Sequence, residues 1–194
     1  MKIGTALLLL FILFGVVFFV FSAKNNTISE ATLKKYSNSF QKHLNKISSK
    51  NVAIIIDYTM PINRKRLWLI NTKTNKIIFN CYVAHAISSG FIYAQDLSNN
   101  IGSEKSCGGS FLSKEKYIGN YGNSLRIDGL EKINNNARKR CIVFHPLTKI
   151  KMKGFTIPKM YAYYSLGCFA LAENDLQFIL NHLSEGSFIY VNTN

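Results

Sequence analysis

Proline is scarce in this chain, with three residues in 194, and no Pro- or Gly-rich stretch divides it beyond residue 24. No internal repeat is visible either. The absence of linkers and repeats excludes a chain of several domains and a repeat architecture. Residues 24–194 are enough to bury one hydrophobic core, so we expect a single domain of ordinary size.

The four cysteines lack the spacing of a disulfide framework or of a structural zinc site, since no CxxC pair is present. Cys141, His145, Cys168 and His85 are conceivable zinc ligands, because residues 141 and 145 share one face of a strand. The tight two-ligand spacing of structural zinc is nevertheless absent. We therefore expect no metal and no cofactor, and we interpret Cys141 as a small buried hydrophobic residue.

The N-terminus contains the one long apolar run, residues 3–21, which only Gly4, Thr5 and Gly15 interrupt. Its length of about 19 residues approaches that of a bilayer-spanning helix, and Lys2 precedes it. Residues 1–23 are therefore either an uncleaved signal anchor or a signal peptide cleaved after Ser22 or Ala23. Both interpretations export the remainder of the chain.

Acidic residues are also scarce, 10 against 24 lysines and arginines, and the formal net charge is +14. Such a charge often indicates nucleic acid as the partner. Export and the scattering of lysines among asparagines argue against that class. A polyanionic wall polymer or an anionic membrane surface fits better, and a composition bias toward Asn, Lys and Ile is the alternative explanation.

Residues 24–50 are predicted to form an amphipathic helical spacer that packs on the domain. Thr27 and Glu30 resemble a capping box. Apolar residues then recur at spacings of three or four as far as Ile47, and the helix is expected to end near residues 48–49.

Residues 51–194 read as a mostly-β domain. Apolar runs predict strands over 52–58, 66–71, 76–83, 124–130, 140–145 and 186–191, with a hairpin turn at 72–75. Residues 175–183 carry apolar side chains on one face and predict a helix. Residues 86–123 are rich in Ser, Gly and Asn and are expected to form long loops with short strands. Residues 146–160 are expected to form a mobile loop over the site.

The main chemical signal in the sequence is a cysteine that follows a glycine, together with a histidine at the end of an upstream strand. Cys168 directly follows Gly167, 23 residues after His145, which closes an apolar strand. A thiol needs a base to become a nucleophile, so the pair predicts acyl transfer through a thiolate stabilised by imidazolium. Glycine allows a sharp turn, and the amides of Gly167 and Cys168 are expected to stabilise an oxyanion. Ser165 either shapes this loop near the site or simply stabilises a turn.

Several stretches, taken in order and spacing, resemble the YkuD-type L,D-transpeptidases, and more closely the murein L,D-transpeptidase catalytic domain family. The resemblance covers residues 52–191. The matching stretches are IIIDY at 54–58, KRLWLI at 65–70, VAH at 83–85, SSG at 88–90, YGNSLRIDGL at 121–130, NNNAR at 134–138, IVFH at 142–145 and SLGCFAL at 165–171.

The resemblance implies a β-sandwich or barrel of the YkuD type, an exported location and action on peptidoglycan stem peptides. It implies that Cys168 attacks a stem tetrapeptide, releases the terminal D-alanine and forms a cross-link through a thioester, with His145 as the base. If water accepts the acyl group, the protein is a carboxypeptidase. A wall-binding module without turnover, or a cysteine peptidase acting on proteins, remains a further alternative.

Two departures from the family pattern accompany this match. Pro146 stands where the family has Gly after the histidine, and Phe169-Ala170 replaces the usual residues after the cysteine, including a frequent Arg at the second position. The loop entering the site and carboxylate recognition at that position are therefore in question.

Four other polar residues are weaker candidates for substrate binding. His85 ends an apolar strand and either lines the site or is a hydrogen-bonded structural histidine. Arg126 either pairs with Asp128 or holds a substrate carboxylate, and Arg138 with Asn136 offers the same two possibilities.

Overall fold

The computed structural model describes residues 27–147, 151–152, 155–156 and 164–193. Two α-helices, one 3-10 helix and twelve strands lie within these ranges. The helices are α1 (Glu30–Lys42) and α2 (Glu173–His182), with the 3-10 helix at Ile87–Ser89. The strands are β1 (Ser49–Asp57), β2 (Leu67–Asn71), β3 (Ile77–Cys81), β4 (His85–Ala86), β5 (Gly109–Gly119), β6 (Gly122–Gly129), β7 (Val143–Pro146), β8 (Lys151–Met152), β9 (Phe155–Thr156), β10 (Tyr164–Ser165), β11 (Phe169–Leu171) and β12 (Ser187–Asn192).

Eight strands form one mixed sheet in the order β11-β7-β6-β5-β12-β1-β2-β3. The N–H of Ala84, just after the edge strand β3, donates to the carbonyl of Ala170 on the opposite edge strand β11, at 2.9 Å. This contact joins the two edges, so the sheet curls into a nearly closed barrel. The prediction of a mostly-β domain of this type is confirmed.

Two apolar clusters stabilise the sheet, one on each face. The interior cluster contains Ile54, Leu69, Phe111 and Phe144, and the apolar face of α2 packs into it. The outer cluster contains Ile55, Trp68 and Phe188 and lies beneath α1. Residues 53–56 of β1 are buried on both faces of the sheet, because they alternate between the two clusters.

Polar contacts fix α1 to the end of β1. The hydroxyl of Thr32 donates to the Asp57 carboxylate at 2.7 Å, and the amide of Asn192 donates to the same carboxylate at 3.0 Å. The predicted start of the helix was wrong, because Ser29 is the N-cap and accepts from the Thr32 N–H. The predicted end was also too late, since α1 stops at Lys42 and residues 43–46 form turns.

The predicted loop region 86–123 contains a long strand. β5 runs over eleven residues and pairs with β6 through the turn between Gly119 and Gly122. Its outer half is exposed and polar, which hid it from the apolar pattern. Neither α1 nor α2, the α-helices of the described part, is long and apolar enough to cross a membrane, and the predicted anchor at residues 3–21 lies outside the described residues.

Candidate active site

Cys168 lies in a short loop between two strands of different sheets. β10 pairs in parallel with β4, residues 166–168 turn, and β11 then pairs in parallel with β7. Gly167 has a φ of +119°, a conformation that L side chains rarely adopt. A Cβ there would meet the Ile142 side chain at 2.8 Å and the Lys105 carbonyl at 3.0 Å. The turn before the cysteine therefore requires glycine for both conformation and space.

The hydroxyl of Ser165 ties this nucleophile loop, residues 165–168, together. It accepts from the Gly167 N–H at 3.2 Å and donates to the Cys168 carbonyl at 2.6 Å. Ser165 is itself buried. The expectation that the Gly167 amide serves an oxyanion disagrees with this geometry, because that N–H is already engaged by Ser165.

His145 lies on β7 with its imidazole held in one orientation. Its Nδ1 is 2.8 Å from the carbonyl oxygen of Pro146, which can only accept, so Nδ1 carries the proton. Nε2 is then the nitrogen with the lone pair. The ring stacks on Tyr121 at a centroid distance of 4.6 Å, and His145 is largely buried. The contacts select the tautomer in which Nε2 can accept a proton.

Strand register places the turn that carries Cys168 next to the strand that carries His145. Phe169 pairs with Phe144, and their rings stack in the interior at 4.8 Å. Since side chains alternate along strands, His145 and its partner Ala170 face the other way. Cys168 comes directly before Phe169, the first residue of β11, and so lies beside the strand that carries His145. Its Sγ donates to the carbonyl of Cys141 at 3.4 Å.

Burial disfavours charge on both groups. It raises the pKa of Cys168, and the Cys141 thiol acts in the same direction. The Val143 N–H and the Arg140 guanidinium act in the opposite direction and lower that pKa. Burial lowers the pKa of His145, against the contact with Pro146. Burial thus acts against the charged form of both groups, and the thiolate–imidazolium pair stays a prediction.

The other cysteines are free thiols as well. Cys81 and Cys107 are buried, and burial raises the pKa of Cys107 to about 11. Cys141, expected to be buried, is exposed and has a φ of +55°. Its backbone carbonyl, rather than its side chain, contacts the thiol of Cys168.

The predicted arginines are engaged in a surface ion-pair network. Arg138 binds both carboxylate oxygens of Glu115, at 3.0 and 3.3 Å, and also Asp128. Arg126 contacts Glu115 at 3.1 Å and stacks over Tyr117. Arg138 holds the pKa of Glu115 down at about 2. Substrate binding by either arginine would require opening of these pairs.

The two remaining candidates organise loops. Asn136 donates its side-chain amide to the Asn99 carbonyl at 3.1 Å. His85 is fully buried, with Nε2 at 2.8 Å from the Gly90 carbonyl and Nδ1 at 2.6 Å from the Arg66 guanidinium. Burial and Arg66 lower the pKa of His85 to about 4. His85 thus lies on β4, the strand that pairs with β10, and its contacts fix the strand from which the nucleophile loop begins.

Both departures from the family pattern fit this fold. Pro146 lacks an N–H, but β6 pairs with β7 only at Val143 and Phe144, so no ladder bond is lost on that side. Phe169 fills the interior between Phe144, Tyr58 and Phe111. Ala170 is buried at 1% exposure, so the position offers little room for arginine.

Sequence reasoning missed three residues around the site. Tyr121, which stacks on His145, and Arg66, which contacts His85, lie inside the matching stretches, so those stretches were the available signal. Arg140 donates to the carbonyls of Ser98 and Lys105 beside Gly167. Arg140 was predicted to begin a strand over 140–145, but it lies in a turn and the strand begins at Val143, so the apolar pattern gave no sign of this contact.

The structure is a β-rich fold in which Cys168 lies in a turn beside the strand that carries His145. The family model described as L,D-transpeptidase catalytic domain (YkuD_2) matches residues 24–192. The chain therefore belongs to the L,D-transpeptidase catalytic domain family. The match includes α1 as well as the sheet. No curated protein matches significantly.

Several solved structures are similar to this chain, and the first named here supports the fold. The helical cell shape determining protein Pgp2 from Campylobacter jejuni superposes with a TM-score of 0.50 at 13% identity, over 79% of this chain and 55% of that one. An L,D-transpeptidase from Stackebrandtia nassauensis has a TM-score of 0.45 at 15% identity, over 77% and 60%. The L,D-transpeptidase from Mycobacterium smegmatis has a TM-score of 0.43 at 10% identity, over 74% of this chain and 59% of that one. The chain thus spans 60% or less of the length of these proteins.

Proposed function

We propose that this chain is a peptidoglycan L,D-transpeptidase in which Cys168 is the nucleophile and His145 the general base. The observation that carries the proposal is the adjacency of two ordered elements. A glycine turn tied by Ser165 presents the thiol, and the neighbouring strand β7 presents an imidazole whose proton is fixed on Nδ1. Membership of the family supplies the substrate class, the stem peptide.

In the first half-reaction, His145 Nε2 takes the thiol proton as Sγ attacks the carbonyl carbon of the third, L-centred residue of a stem tetrapeptide. The C–S bond forms, the C–N bond to the terminal D-alanine breaks, and the proton on Nε2 passes to the leaving amine. In the second, the amine of another stem attacks the thioester carbonyl, and His145 Nε2 takes a proton from that amine. The C–N bond forms, the C–S bond breaks, and the proton passes from Nε2 to the sulfur of Cys168. The product is a cross-link.

The tetrahedral intermediate needs donors for its oxyanion. Because Ser165 occupies the Gly167 N–H, the Cys168 N–H is the donor that the loop offers. A donor of this kind is worth about 3 kcal/mol of transition-state stabilisation. Ser165 acts indirectly, by holding the loop in the geometry that directs this amide toward the reacting carbonyl.

The decisive experiment incubates purified sacculi with the full chain in detergent and analyses the digested muropeptides by mass spectrometry. Cross-linked dimers together with released D-alanine are expected, and neither with Cys168→Ala. Release of D-alanine without dimers would instead identify a carboxypeptidase. Binding to sacculi without either product, equal in the wild type and in Cys168→Ala, would identify a wall-binding module.

The site of action follows from the substrate, since peptidoglycan lies outside the cytoplasm. We propose that residues 3–21 hold the protein in the cytoplasmic membrane with the domain on the outer face. Membrane fractionation and N-terminal sequencing test this. An intact N-terminus in the membrane fraction is expected, whereas a mature N-terminus at Ala23 or Lys24 would show a cleaved signal peptide and a soluble periplasmic protein.

A further inference from the structure

Arg140 lies in the segment before β7, and its guanidinium group joins two other parts of the chain. Nη1 donates to the carbonyl of Ser98 at 2.5 Å, and Nη2 donates to the carbonyl of Lys105. The same 98–107 segment is held by Ser106, whose hydroxyl accepts from the N–H of Ala86 at 2.8 Å. Arg140 therefore fixes this segment against the strand that carries His145.

The nucleophile loop rests on this contact. A Cβ built on Gly167 would lie 3.0 Å from the Lys105 carbonyl oxygen and 3.5 Å from Nη2 of Arg140. The backbone immediately before Cys168 thus packs directly on the guanidinium and on the carbonyl that it binds. Removal of the guanidinium leaves that carbonyl without its donor and the loop without its support.

Arg140 also differs from its neighbours in how its charge is balanced. Arg126 and Arg138 pair with Glu115, and Lys105 pairs with Asp96. Within the described residues, Arg140 forms no ion pair and donates to carbonyls instead. A positive charge that no carboxylate neutralises favours the anionic form of a nearby thiol. In agreement with this, Arg140 lowers the pKa of both Cys168 and Cys107, whereas burial raises it.

We propose that Arg140 is the positioning residue of the nucleophile loop, which it supports from behind while its charge favours the Cys168 thiolate. The inference rests on the proposed role of Cys168. Other titratable or charged groups on the surrounding elements are His145 on β7, the thiols of Cys107 and Cys141, the phenol of Tyr58, and the Lys105–Asp96 pair.

The test measures alkylation of Cys168 by iodoacetamide as a function of pH in the full chain. Peptide mass mapping separates Cys168 from the exposed Cys141. Arg140→Gln removes the charge, Arg140→Lys keeps it, and Arg138→Gln is the matched control, because it removes an arginine two residues away that pairs with carboxylates. We expect Arg140→Gln to move the midpoint upward by about one pH unit. Arg140→Lys and the control should stay near the wild type.

An unchanged midpoint in Arg140→Gln would overturn the proposal, as would equal shifts in the Gln and Lys variants. If Arg140→Gln does not fold, Arg140→Lys decides. In Arg140→Lys, a lower kcat with an unchanged KM and an unchanged alkylation midpoint supports the proposal, because the charge is kept while the positioning contacts are lost. A wild-type kcat or a shifted alkylation midpoint in Arg140→Lys refutes the proposal. The alkylation arm needs no peptidoglycan, so failure of the proposed cross-linking reaction is observed separately.

Discussion

Replacing Ser165 by alanine should loosen the nucleophile loop and slow acyl transfer. The hydroxyl satisfies the Gly167 N–H and the Cys168 carbonyl, so Ser165→Ala removes two hydrogen bonds at a buried position. At about 1 kcal/mol for each net hydrogen bond, the free energy of unfolding should fall by about 2 kcal/mol. For a domain of this size that lowers Tm by about 4–8 °C.

The rate should fall for a separate reason. The freed Gly167 amide and the unpaired Cys168 carbonyl let the loop sample other conformations, so the thiol and the Cys168 N–H are less often in reactive geometry. If half to all of the lost stabilisation is missing from the transition state, thioester formation slows by about five- to thirtyfold. Intact-mass measurement of the acyl-enzyme against time gives this rate.

Ser113→Ala is the matched control. Its hydroxyl also bridges two backbone groups, accepting from the Ser187 N–H at 2.8 Å and donating to the Ser184 carbonyl at 2.7 Å, and it too is buried. It lies beside the α2–β12 connection, away from Cys168. Equal losses of stability with a slower reaction only in Ser165→Ala are expected. Faster acylation in Ser165→Ala would refute the reasoning, since the freed Gly167 amide would then be acting as an oxyanion donor.

Three further outcomes are expected. A carbapenem should acylate Cys168, giving a one-to-one mass adduct that is absent in Cys168→Ala, and an adduct on Cys141 instead would move the site. The acid limb of kcat/KM should lie below pH 6.5, because burial lowers the pKa of His145 and the base must be neutral; a limb above pH 7 contradicts this. Gly167→Ala should lower the free energy of unfolding by at least about 2 kcal/mol. Gly102→Ala should lower it less, because Gly102 also has a positive φ (+79°) but lies in open space. Similar losses in the two variants would show that backbone strain alone matters.

The sequence predicted those strands of the sheet that are buried and therefore consist of apolar residues. β1 and β2 are buried on both faces and appear as apolar runs, and the 72–75 turn joins β2 to β3 as expected. β5 escaped prediction because only its first half is buried, while the rest is exposed and stabilised by pairing with β6. Pairing partners are long-range information that local patterns do not contain.

The candidate site was predicted unevenly for a similar reason. Cys168 and His145 stand out as residue types, and the structure places Cys168 in the turn before β11 and His145 on the neighbouring strand β7, although their roles stay predictions. The contacts that support the pair are made by backbone carbonyls, of Pro146 to His145 and of Cys141 to Cys168. A carbonyl belongs to every residue, so no residue type signals such a contact. Arg140 was missed because its partners are carbonyls as well.

The burial of Cys168 bears on how readily its thiol is oxidised. Oxidation of a thiol follows its thiolate character and its exposure. Cys168 is half-buried, its pKa is raised by burial, and its proton rests on the Cys141 carbonyl. Both features are expected to slow oxidation of the Cys168 thiol. In the proposed reaction the thiol proton passes to Nε2 of His145, so turnover is expected to depend on the tautomer that keeps the other ring proton on Nδ1.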